Sequence, residues 1–103
     1  MTDNDFPELS FEYPFDELAQ IEAKTRGFLS DATVRLPDGT RYPLFFYDPI
    51  RLSQELKSES ETGRMCVAEP GMIVVPEVTL DNMQKAVGRL WREGFFNSLK
   101  SLV

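Results

Sequence analysis

The 103-residue chain has no histidine and one cysteine, Cys66. Without imidazole no Ser-His or Cys-His nucleophile can be assembled, and a lone thiol leaves no common zinc ligand set. One cysteine also cannot close an internal disulfide. The opening residues Met1-Thr2-Asp3-Asn4-Asp5 carry neither the basic region nor the apolar region of a secretory signal, so a cytoplasmic protein is expected. No stretch approaches the roughly 20 apolar residues of a bilayer span, and no membrane partner is expected. The glycines follow no phosphate-loop or dinucleotide fingerprint, and no acidic cluster has the spacing of a calcium loop. No cofactor and no metal is therefore expected.

What the chain does have is enough apolar residue for one core: 42% of it is hydrophobic and 27% charged. A domain of this size buries roughly 60 to 70% of the surface its unfolded form exposes, which needs neither disulfide nor metal. The net charge of -6 is unevenly placed. Residues 1–23 hold seven acids and no base, leaving ten acids and eleven bases for the rest, so the body is nearly neutral. Nucleic-acid binding requires a surplus of Lys and Arg against phosphates, and this body does not supply one. The acidic segment interleaves its charges with Phe6, Phe11, Tyr13 and Phe15.

The pattern predicts an acidic aromatic N-terminal arm over 1–13 and a single α+β domain over 14–103. Pro14 suits a first helical position, Asp16 and Glu17 the positive end of a helix dipole, and Gly27 its cap, which gives a helix near 14–26 with Phe15, Leu18, Ala19 and Ile21 on its apolar side. Phe28 to Tyr47 reads as a hairpin around Pro37-Asp38-Gly39. A three-residue loop with Gly39 left-handed pairs Leu36 with Thr40, Val34 with Tyr42 and Ala32 with Leu44, which gathers one apolar face. The other face then sets Arg35 opposite Arg41, and Leu29 opposite Tyr47 with Phe45 nearby.

Asp48-Pro49 opens a short helix with Ile50, Leu52 and Leu56. Arg64–Ala68 and Met72–Val78 flank Glu69-Pro70-Gly71, a type II turn signal, and read as a second hairpin. Thr79 caps the most regular helix, in which Leu80, Met83, Val87 and Leu90 share one side with Trp91 beside them. Phe95, Phe96, Leu99 and Leu102 suggest a short terminal helix. The expected fold is thus α+β: a four-stranded, mainly antiparallel sheet from two β-hairpins in ββαββα order, helices on one face, preceded by the N-terminal helix and arm.

Cys66, between Met65 and Val67, reads as a core residue with a suppressed thiolate. Asp48, Glu69 and Glu77 could serve carboxylate-only catalysis beside Tyr42 or Tyr47, but each has a simpler role as cap, turn or strand end, and no enzyme is expected. Arg35 facing Arg41 is repulsive unless an acid lies between them, and Glu8, Glu12 or Asp16 of the arm could supply it, with Phe11 or Phe15 covering the outer face. Lys85, Arg89 and Arg92 line the polar side of the last long helix, where an acidic partner could dock. The candidate interaction surface is therefore Leu29, Arg35, Arg41, Phe45, Tyr47, Lys85, Arg89, Trp91 and Arg92. These residues point to a non-enzymatic protein-interaction domain of the adaptor, inhibitor or immunity-like kind found in bacteria, binding another protein or a second copy of itself. The competing class is a small-ligand regulatory domain with a pocket around Tyr42, Tyr47 and Arg51, followed by a carboxylate-dependent enzyme.

Overall fold

The computed structural model describes residues 6–100. It is an α+β domain in the order β1 (Glu8–Phe11), α1 (Glu17–Arg26), β2 (Phe28–Arg35), β3 (Arg41–Tyr47), α2 (Pro49–Glu61), β4 (Met72–Val74), α3 (Leu80–Arg92) and α4 (Phe95–Lys100). The strands form one sheet in the order β1-β2-β3-β4. β1 and β3 flank β2 antiparallel, and β4 joins β3 parallel, so the sheet is mixed. The tip of the acidic arm, residues 1–5, and Leu102 lie outside the described residues.

The first hairpin follows its sequence. Leu36 donates its N–H to the Thr40 carbonyl at 2.8 Å, Val34 faces Tyr42 and Ala32 faces Leu44. Gly39 sits at φ 90°, a conformation glycine reaches without a Cβ penalty. A β-bulge between Leu29 and Ala32 then shifts the register, so that Leu29 faces Phe46 and Phe28 faces Tyr47. The extra residue turns Leu29 into the core rather than onto the outer face where strict alternation puts it.

The second hairpin does not form. Glu69 accepts the Met72 N–H at 3.1 Å across the expected turn, with Gly71 at φ 83°. Arg64–Ala68 is nevertheless not a strand, and Met65 there sits at φ 63°, a left-handed conformation that no strand contains. β4 pairs instead with β3, across a connection that includes all of α2, which is the long crossover a parallel pair requires. The fourth strand comes from Glu8–Phe11 within the acidic segment. ββαββα is thereby replaced by β-α-β-β-α-β-α-α.

Helix α1 begins at Glu17 rather than at Pro14, because the Asp16 carboxylate accepts the Ala19 N–H at 2.9 Å and so marks the cap. It lies on its alanines. Ala23 is fully buried, whereas Leu18 and Ile21 are 64% and 55% exposed. The core joins Ala23 to the inner sheet residues Ala32, Val34, Leu44 and Phe46, and to Met83, Val87 and Phe96 of α3 and α4. Helices α1, α3 and α4 thus share the inner face. Helix α2 starts at the other face, where the Arg51 guanidinium stands 5.4 Å from the centroid of the Phe28 ring.

Candidate functional site

The outer face of the sheet is built by the residues that alternate with the core. Glu8 pairs with Arg35, and Arg35 faces Arg41 across the hairpin. The acid that this repulsive pair calls for comes from Glu8, delivered edge-on as β1 joins the sheet rather than by an arm laid over it. Arg41 is exposed and has no ion pair among the described residues. Next to it lie exposed Pro43 and half-buried Phe45. Phe11 and Phe15, expected as covers for this face, stack on each other at 4.2 Å and pack against the core.

Tyr47 closes the same face but is buried. Its ring meets Phe28 at 4.8 Å. Burial and then the charges of Glu69 and Glu55 push its phenol above the ordinary 10.0, since each disfavours the phenolate. At this corner the chain is tied together. Asp48 donates its N–H to the Gly27 carbonyl at 2.9 Å and accepts the Arg51 N–H on its carboxylate at 2.7 Å. Arg51 in turn donates Nε to Glu55 at 2.9 Å. Gly27 is at φ +69°, and a Cβ there would stand 2.5 Å from Asp48 Oδ2, so only glycine lets α1 end against the cap of α2.

Beyond this corner α2 is poorly covered. Its 13 residues include none that is buried. Ile50 is 72% exposed and Leu56 43%, and in the loop that follows Met65 is 70% exposed. Cys66 also lies in this loop and is exposed, contrary to the core position its apolar neighbours suggest. Val67 is half-buried but Met65 is not, because the strand that would have carried this segment inward is missing.

The remaining predicted surface residues sit on α3. Lys85, Arg89 and Arg92 are exposed. Lys85 pairs with Asp81 and Arg89 with Glu93, each at 2.9 Å. The Asp81 hydrogen bond, with its charge, holds the Lys85 ammonium above its ordinary value. Trp91 is half-buried, with its ring 6.0 Å from that of Phe6. The surface residues therefore divide into two groups, one on the outer sheet face and one on α3, while Leu29 belongs to neither.

The ligand pocket imagined around Tyr42, Tyr47 and Arg51 is not brought together. Tyr42 stacks on Phe96 at 6.3 Å on the inner face, whereas Tyr47 and Arg51 lie outside. Asp48 caps a helix, Glu77 pairs with Lys24 at 3.2 Å, and the Glu69 backbone closes a turn. Among the described residues no three His, Cys, Asp or Glu side chains group as a metal site, and no helix is long and apolar enough to cross a membrane. Sequence reasoning missed the uncovered flank of α2. Its signal was Ile50 on the polar side of the helix, away from Leu52 and Leu56.

What fold and site define together is a small mixed-sheet α+β domain with one helix largely outside its core. No protein family, curated protein or solved structure matches the chain.

Proposed function

We propose that the protein is a non-enzymatic protein-interaction domain, adaptor-, inhibitor- or immunity-like, whose docking surface is α2 with the adjoining outer sheet face. The observation that carries this reading is a 13-residue helix that buries none of its residues. Helices of roughly this length are marginal alone in water and owe their stability to packing of an apolar side. Ile50 and Leu56 are exposed, as are the neighbouring loop's Met65 and the outer face's Pro43. Arg41 adds a cation without an ion pair among the described residues, suited to a carboxylate on the partner. The partner is another protein or a second copy, met in the cytoplasm.

The test is site-specific photo-crosslinking in cells. A photoreactive side chain replaces Leu56 in one variant and Gln84, on α3, in another. One defined protein should be captured through position 56 and not through position 84. Equal capture at both positions, or none at 56, would contradict the reading.

A further inference from the structure

The sheet has a second feature, at the edge away from β1. β4 is that edge, and its bonds to β3 show which backbone groups are already used. The Phe45 N–H donates to the Gly71 carbonyl at 3.1 Å, and the Val75 N–H donates to the Tyr47 carbonyl at 2.9 Å. In a parallel ladder the groups of intervening residues point the other way. The Met72 carbonyl and both backbone groups of Val74 therefore face outward, and no described residue bonds to them. Pro76, with no N–H, ends the row.

Along this open edge runs a groove of about 410 Å³ between β4 and α3. Its apolar lining includes Ile73, Val75, Ala86 and Leu90, and Lys85, Arg89 and, at one end, Glu93 stand on its helical wall. Both cations are engaged by acids one turn away on the same helix, in solvent-exposed pairs. Pairs of that kind contribute little and exchange readily with an incoming carboxylate.

The charge order on α3 decides between occupants. Asp81, Lys85, Arg89 and Glu93 read minus, plus, plus, minus. A second copy related by a two-fold axis centred on the groove would lay this helix antiparallel to itself, with Lys85 against Arg89 and Asp81 against Glu93. Like charges would meet throughout. An extended segment bearing carboxylates meets two cations at the centre against the single acid Glu93 at one end of the groove, and its backbone satisfies the three free groups of β4.

We propose that the β4–α3 groove takes a short extended segment of another protein as a fifth strand, whose groove-facing side chains include both apolar residues and acids, the acids meeting Lys85 and Arg89. The inference rests on the reading of the chain as an interaction domain but uses a surface separate from α2.

The test titrates three short blocked peptides into the isotope-labelled full chain and follows backbone amide signals by NMR. All three carry valine and the test residue (glutamate, glutamine or lysine) at successive positions of the groove-facing side, with threonine at every intervening position. The glutamate peptide should shift the amides of Val74, Ala86 and Arg89 and bind about fivefold tighter than the lysine peptide, the scale of two exposed ion pairs. Lys85→Glu with Arg89→Glu should reverse that order. Val74→Pro removes an N–H that faces away from β3 and should abolish the shifts while leaving the inner ladder intact. Absence of shifts at β4 up to millimolar peptide, or an order unchanged by the charge reversal, would overturn the proposal. So would concentration-dependent shifts of Val74 without peptide, which would assign the edge to a second copy. Failure here leaves the photo-crosslink at position 56 unaffected, so the two readings fall separately.

Discussion

Helices α2 and α3 are equally long, 13 residues each, and both open with a well-made cap, yet they relate to the rest of the molecule in opposite ways. Helix α3 places Met83 and Val87 in the core and supports them with Ala86, Leu90 and Trp91. Helix α2 contributes nothing to the core and is tied down mainly at its first turn, through Asp48 and Arg51. The pair separates two sources of helical order. Caps and side-chain pairs start a helix and set its direction, but buried apolar area holds it.

That contrast gives its largest effect in the core. Met83→Ala removes a fully buried side chain and should cost about 2–5 kcal/mol in urea unfolding. Leu56→Ala on α2 should change stability by about 0.5 kcal/mol or less. Similar losses at the two sites would erase the distinction between the helices.

The next effect lies where α2 is anchored. Gly27→Ala forces a Cβ into the Asp48 carboxylate at a positive φ and should cost about 1–3 kcal/mol. Asp48→Ala should cost about 1 kcal/mol by loss of the cap. Because the two residues touch, the double variant should lose less than the sum, and a double-mutant cycle measures the difference. Strict additivity would mean that the corner does not act as a unit.

A smaller effect is read in alkaline solution. The Tyr47 phenol is harder to ionise in the folded chain than in the unfolded one. The unfolded state therefore gives up this proton first. Stability is complete below the ordinary pKa of 10.0 and falls as pH rises through the higher folded value. Tyr47→Phe should flatten that alkaline decline in thermal melts across the range above pH 9.5 or so. An unchanged slope would show that the corner does not shield the phenol.

Smallest of all is the ion pair on the outer face. Arg35→Gln removes an exposed partner of Glu8 and should lower stability by about 0–1 kcal/mol, less in high salt. A larger loss would make the pairing of β1 depend on charge rather than on its backbone ladder.

The legible parts of the sequence are those in which local chemistry and tertiary pairing agree. Pro37-Asp38-Gly39 and the alternation around it fix a register, and the regular spacing of Leu80, Met83, Val87 and Leu90 marks a buried helix side. Glu69-Pro70-Gly71 is a true turn, but a turn signal does not choose the strand's partner, and β4 went to β3. The bulge at Ser30 and Asp31 leaves no pattern in polar residues, so strict alternation puts Leu29 on the outer face when it belongs to the core. Glu8–Phe11 is four residues between Pro7 and Pro14, too short for alternation to distinguish from an extended arm. Of the candidate site, Arg35, Arg41 and Phe45 could be read from the hairpin. For the exposed flank of α2 only Ile50 on the polar side gave a signal, because the exposure of Leu56 and Met65 depends on which elements fail to cover them.

Hydrogen–deuterium exchange on the isolated chain tests most directly whether α2 awaits a partner. The account predicts that amides in the second half of α2, from Leu56 to Glu61, exchange far faster than those of Met83 to Leu90 in α3, because local opening there breaks almost no core contact. Equal protection of the two helices would contradict it.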